Sequence, residues 1–423
     1  MKHLRATTSC LLFLGGALAY SSFVTKTPFV KEGAWRAAFT VAGSEVPFNF
    51  EVRGTRAEDA RVYLLNATER VELDHLVQRN DSLFIPIEIY DAVLEAKIDG
   101  NALTGVYRRL HTNQPDPGIP FRAEPGKKYR FTEKNVAPAA DLSGKWDLNL
   151  HNPAEVNRTV GVFEQKGNYL TGTIMTTTGD YRYLEGTVQG NEFFLSAFSG
   201  SGPTLIRGKI GDANRLTGEF VTGRGNIPLD ATRNDQAALP DPYALTYLKE
   251  GYTTLDFTFP DLAGKPVSLK DPKYVGKVVV VTILGSWCPN CLDEAAFLAP
   301  WYQANRDRGV EIIGLAFERK NDPVFAKARL DKLKERFGVE YDLLFAGLAD
   351  KQAASEALPA LSKVLSFPTT IFVDRQGKVS KIHTGFTGPA TGRYYEDYVR
   401  EFNADVDHLL NQKPATGSVG SGR

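Results

Sequence analysis

The chain has 423 residues, 42% hydrophobic and 24% charged, with 50 Lys and Arg set against 50 Asp and Glu. That balance leaves no broad basic field, which argues against nucleic acid or an anionic membrane surface as a partner. The length suits two or three domains with real cores, and past residue 25 no run approaches the ~20 apolar residues of a bilayer span.

The first element is a targeting signal. Met1–Arg5 (MKHLR) is basic, Cys10–Ala19 (CLLFLGGALA) is apolar over about the length of a signal-peptide core, and Ala17-Leu18-Ala19 supplies a small-x-small cleavage pattern. The expectation is a signal peptide over 1–19, cut after Ala19, and a mature protein in the periplasm or cell envelope. An uncleaved anchor would need a longer run. A lipoprotein would need its cysteine after the apolar run, and Cys10 precedes it.

From about 30 to 234 the sequence alternates with period two, as in VPFNFEVRG and NEFFLSAFSG, with Gly, Asn and Asp turns between the runs. It also repeats itself. EGAWRAAF (Glu32–Phe39) matches SGKWDLNL (Ser143–Leu150), AKIDGNALTGVY (Ala96–Tyr107) matches GKIGDANRLTGEF (Gly208–Phe220), and GIPFRA (Gly118–Ala123) matches NIPLDA (Asn226–Ala231). The pattern predicts two repeated antiparallel units, 30–134 and 140–234, as two small barrels or one packed pair. Residues 235–252 read as a connector carrying a short helix or an extended arm.

The pattern then changes. KVVVVTIL (Lys277–Leu284) and VEIIGLAFE (Val310–Glu318) are apolar strand runs, with a helical stretch between them that Gly309 ends. Helices are predicted at about 323–337, 351–363 and 392–411, with the strands TTIFVD and KVSKIHT before the last. This is an α/β sheet covered on both faces, in a domain spanning 253–411. The tail 412–423 reads as disordered.

Chemistry concentrates in GSWCPNC (Gly285–Cys291), where a strand gives way to a helix. Removal of the signal leaves Cys288 and Cys291 as the two cysteines of the mature chain. Exported proteins use cysteines as staples across long loops, but a bridge between these two closes almost no loop, so reactivity explains the pair better. Unpaired amides and the helix dipole favour a thiolate in a first turn, which makes Cys288 the nucleophile. Cys291, one turn on, can attack a mixed disulfide and release the client. Pro289 sits at the first helical position, where its missing N–H does no harm. A zinc site would need four ligands, and the nearest histidines are His151 and His383. A c-type haem site would need His at position 292, which is Leu. Two bystander thiols remain the bland alternative.

With these residues in view, 253–411 resembles a thioredoxin-like domain, specifically the cell-envelope TlpA and redoxin group of disulfide reductases. The resemblance rests on WCPNC and on SFPTTIFVD (Ser366–Asp374), which matches the family's cis-proline segment and puts that proline at Pro368. It implies a central mixed sheet with flanking helices, no cofactor beyond a redox-active Cys288–Cys291 disulfide, protein thiol or disulfide substrates and an external electron donor. It implies supporting roles for Trp287, as an apolar lid, and for Glu294, as the acidic residue that exchanges a proton with Cys291. Asp293 beside it reads as a solvated charge, and His383 as a structural strand histidine. Thr282 departs from cytoplasmic thioredoxin, which carries a buried aspartate there, so proton transfer is left to Glu294.

Two alternatives stay open. A thiol peroxidase would need a Pro-x-x-x-Thr-x-x-Cys loop, and Val281 and Gly285 stand at its Pro and Thr positions. The front half is alternatively a binding module for an unknown partner, with the redox domain as its passenger.

Overall fold

The computed structural model describes residues 30–412 apart from 57–58, 74, 113–114, 152–157, 213 and 224. The predicted signal peptide, Cys10 and nearly all of the predicted tail lie outside the described residues. Among the described residues no helix is long and apolar enough to cross a membrane.

Among the described residues the front half forms two sheets of nine strands each, antiparallel throughout. In each, the last strand returns beside the first: Ile119–Pro125 pairs with Gly33–Val41, and Gly225–Arg233 with Gly144–Leu150. The second sheet closes on itself, because Arg158–Lys166 pairs with both Gly144–Leu150 and Tyr169–Thr176. Among the described residues the first stays open, ending on Glu69–Glu72 at one side and Val77–Arg79 at the other. The sequence repeat is a structural repeat. Trp35 and Trp146 are both fully buried, and each indole N–H donates to the carbonyl four residues back, Lys31 at 2.7 Å and Leu142 at 2.9 Å. Gly105 and Gly218, the glycines of the LTG segments in the matched repeat stretches, let neighbouring backbones touch. A Cβ at these positions would lie 1.9 Å from the Glu95 carbonyl oxygen and 2.2 Å from that of Arg207.

Arg130 joins the two units. Its buried guanidinium donates to Leu65 O at 2.5 Å in the first unit, and to Ser196 Oγ at 3.2 Å and Glu185 at 3.0 Å in the second. A charge this deep is tolerable only with acceptors around its two terminal nitrogens, and among the described residues its Nε has no partner.

Residues 235–252 contain no helix. Pro240 and Pro242 remove donors there, and the segment passes through turns closed by Ala237 N to Asn234 O and Ala244 N to Asp241 O before a bridge between Leu248 and Leu361. The redox domain is a five-stranded mixed sheet in the order Asp342–Leu348, Val310–Glu318, Val278–Leu284, Thr369–Val373, Val379–Thr384. The first three strands are parallel and the last two antiparallel. Val278–Leu284 lies at the centre and is buried at all seven positions, which is why it reads as a continuous apolar run. The helices are α1 (Pro289–Asn305), α2 (Pro323–Phe337), α3 (Lys351–Ala357) and α4 (Arg393–Leu410). α3 is shorter than its predicted 351–363. Leu358 precedes Pro359, a position that disfavours helical backbone, and it takes φ −124° and ψ 67°.

Replacement of Gly105 or Gly218 by Ala is expected to destabilise its β unit by about 3 kcal/mol, because the backbone atoms it would meet cannot retreat. Urea unfolding followed by tryptophan fluorescence checks this, Trp35 and Trp146 each lying at the start of its own unit.

Candidate active site

Cys288 ends the turn after the central strand and caps α1. Its sulfur accepts from the Cys291 N–H at 3.4 Å, and its thiol donates to the Phe367 carbonyl at 3.2 Å. Pro289 is the first helical residue. Both cysteines are free thiols, 6% and 1% exposed. The Phe367–Pro368 peptide is cis, and that segment lies against the cysteine pair. Trp287 is half-buried beside it. Its indole N–H donates to Phe317 O at 2.9 Å, and its ring meets Phe367 edge-on at 5.5 Å. Thus WCPNC and the FPTT segment, far apart in the chain, come together.

Two buried carboxylates stand behind the turn. Glu294, 1% exposed, accepts from Thr370 Oγ1 at 2.6 Å and from the Thr282 hydroxyl. Burial pushes its carboxyl up to about 7, against those two hydrogen bonds. Thr282, a departure from the thioredoxin pattern, is therefore one of the groups that hold Glu294. The Cys291 thiol is pushed well above its ordinary range, first by burial, then by its hydrogen bond with the Cys288 sulfur and the charge there, with Glu294 adding. Glu318, 1% exposed, accepts from Ser286 N at 2.9 Å and Ser286 Oγ at 2.8 Å, and burial raises its carboxyl to about 7. It ties down the turn that presents Cys288. Sequence reasoning missed it, although a carboxylate closing the otherwise apolar strand VEIIGLAFE was the available signal.

Asp293 corrects an expectation. It is not a solvated charge: its side chain is 15% exposed and pairs with Arg182 of the second β unit at 2.5 Å. Arg182 also pairs with Glu69 of the first unit at 2.5 Å, so one guanidinium ties three parts of the chain together beside the cysteine turn. Burial raises the Asp293 carboxyl to about 7, and Arg182 opposes that rise. His383 is buried between Tyr243 and Tyr398, its Nδ1 3.0 Å from Gly385 O, and burial lowers it to about 4. Among the described residues no group of three or more His, Cys, Asp or Glu is placed to hold a metal ion.

Residues 251–382 match the AhpC/TSA family. Over 140 residues the chain is 34% identical to the thiol-disulfide oxidoreductase ResA of Geobacillus thermodenitrificans, covering 33% of this chain and 72% of that one. The chain belongs to the ResA family of thiol-disulfide oxidoreductases. Another relative is the thioredoxin-like protein YneN of Bacillus subtilis, 28% identical over 138 residues, which are 33% of this chain and 73% of that one. Among solved structures, a thiol:disulfide interchange protein of the thioredoxin family from Chlorobium tepidum aligns with 38% of this chain and 98% of its own, at 20% identity and a TM-score of 0.28. The AhpC/TSA match begins at residue 251, past both β units.

The raised Glu294 carboxyl sets a pH dependence. The folded chain keeps a proton that the unfolded chain releases from about 4.5 upward, so this contribution is fully present below that pH and is lost as pH rises through about 7. The Glu294→Gln variant is expected to lose less stability than the parent between pH 5 and pH 8. The difference is at most about 3 kcal/mol, read from urea midpoints at the two pH values.

Proposed function

We propose that the chain is an exported thiol-disulfide oxidoreductase that reduces protein disulfides with Cys288 and Cys291. The observation that carries this reading is the capping of α1 by one sulfur with the second sulfur in that helix's first turn. The Cys288 thiolate attacks one sulfur of a client disulfide, forming a mixed disulfide and releasing the other client sulfur as a thiolate. Cys291 gives up its proton and attacks the Cys288 sulfur. The second client thiolate departs, and the Cys288–Cys291 disulfide holds the oxidising equivalents until an external dithiol reductant supplies two electrons.

Glu294 is the group best placed to take the Cys291 proton. It follows Cys291 by one helical turn, is buried, and has a carboxyl poised near neutrality. Pro289 starts the helix that Cys288 caps, Trp287 walls the site, and Pro368 presents the segment whose Phe367 carbonyl meets the Cys288 thiol. We take the domains as 30–134, 140–234 and 253–411, a division that the strand and helix ranges support.

The protein is expected to accelerate reduction of insulin by dithiothreitol, and Cys288→Ser to abolish the acceleration. Cys291→Ser should instead accumulate a mixed disulfide visible by intact mass. Full turnover by Cys288→Ser would overturn the assignment. Export is tested separately: expressed with its own leader in a Gram-negative host, the mature protein should begin at Tyr20 and fractionate with the periplasm.

A further inference from the structure

A client disulfide must lie in line with the Cys288 sulfur for exchange to occur, yet Cys288 is only 6% exposed. Something beside it has to move. The turn Thr177–Arg182 of the second β unit is fastened on both sides of that sulfur. On one side the Thr178 carbonyl accepts from Ser366 Oγ at 3.0 Å, one residue before Phe367, whose carbonyl meets the Cys288 thiol. On the other, the Asn290 side-chain amide, within the Cys-x-x-Cys turn, pairs with the backbone of Asp180, donating to its carbonyl at 3.2 Å and accepting from its N–H at 3.3 Å. Gly179 packs so closely on Asn290 that a Cβ would lie 2.0 Å from the end of its side-chain amide. The buried Asp180 carboxylate accepts from Gly388 N at 2.8 Å, and Arg182 reaches Asp293 and the Pro289 carbonyl.

These are the contacts an extended polypeptide makes with a binding face: main-chain groups taken by Ser366 and Asn290, and an acidic side chain taken by a backbone N–H. Beside the turn lies a cavity of ≈ 1080 Å³, lined by Asp180, Arg182, Tyr107 and Phe220 and reaching Pro289 and Asn290. Close-packed protein seldom leaves such space beside a loop. It gives the turn somewhere to go without unfolding either unit.

We propose that Thr177–Arg182 occupies, in cis, the face on which the redox site binds its clients, and that a client displaces it toward the cavity. The client is an extended, disulfide-bearing peptide segment with an acidic residue, which takes over the hydrogen bonds to Ser366, Asn290 and Gly388. The front half is then neither passenger nor tether but the selector of what reaches Cys288. This rests on the reading of Cys288 as the nucleophile.

The test uses the reduced full-length protein and two reagents with the same reactive group, N-ethylmaleimide and a long-chain polyethylene glycol maleimide. Each rate is divided by the rate with free cysteine, and peptide mapping locates the label. In the parent, Cys288 should react with the bulky reagent far more slowly than with the small one. Arg182→Gln leaves Asp293 and Glu69 without their shared cation. It should raise the bulky reagent's relative rate about tenfold, less than the full cost of leaving a buried charge unpaired because the other fastenings remain. Asp180→Ala removes a different fastening and should act in the same direction. Circular dichroism and melting identify variants that fold. Equal relative rates for the two reagents in the parent would overturn the proposal, as would folded variants whose rate ratio does not move. If Arg182→Gln fails to fold, Asp180→Ala decides alone. Labelling of Cys291 ahead of Cys288 would instead break the nucleophile assignment, with the rate ratio still reporting whether the face is covered.

Discussion

The contact between the Cys288 thiol and the Phe367 carbonyl is the point on which the site turns. It requires the end of the buried central strand, the first turn of α1 and the loop before Thr369–Val373 to meet within a few ångströms. Each of those elements is fixed by its own local physics. The strand is apolar at nearly every position, the helix begins where proline costs nothing, and the loop approaches through a cis peptide. The sulfur is therefore placed by the sheet and not by a flexible loop, as exchange chemistry with a geometric requirement demands.

Around that point the domain buries acids it could have left in water. Glu294 and Glu318 are each satisfied by hydroxyl or amide donors, without a cation hydrogen-bonded to either, and burial raises both to about 7 against the pull of those donors. Asp293, between the second cysteine and Glu294, is treated differently and receives a guanidinium from outside the domain. Adjacent carboxylates on one helix thus face different media. One belongs to the thiol chemistry behind the turn, the other to the joint with the β units.

Most of the redox domain is legible in the amino-acid sequence because its signals are local. An apolar run, a Cys-Pro-Asn-Cys turn and an SFPTT segment each report their own geometry, and the paired repeat motifs by themselves point to two like β units. The helical pattern overruns α3 because periodicity gives Pro359 no weight against the residues around it. Asp293 defeats the sequence for a different reason. Its partner, Arg182, lies in a hairpin of another unit, and nothing in DYRY says which surface that hairpin will meet. Glu318 could have been found, since a buried strand ending in a carboxylate needs donors, but Ser286 as the donor follows only from parallel pairing of the two strands. Periodicity reports elements, whereas contacts between distant surfaces have no signature in one sequence.

The open edge of the first sheet carries one more consequence. Glu69, which shares Arg182 with Asp293, begins the strand Glu69–Glu72, and that strand has a neighbour on one side only among the described residues. An outermost strand frays more readily than an inner one. The grip on Arg182 is thus only as firm as the sheet's own margin, and slackening there would travel through a single side chain to the threshold of the thiol pair.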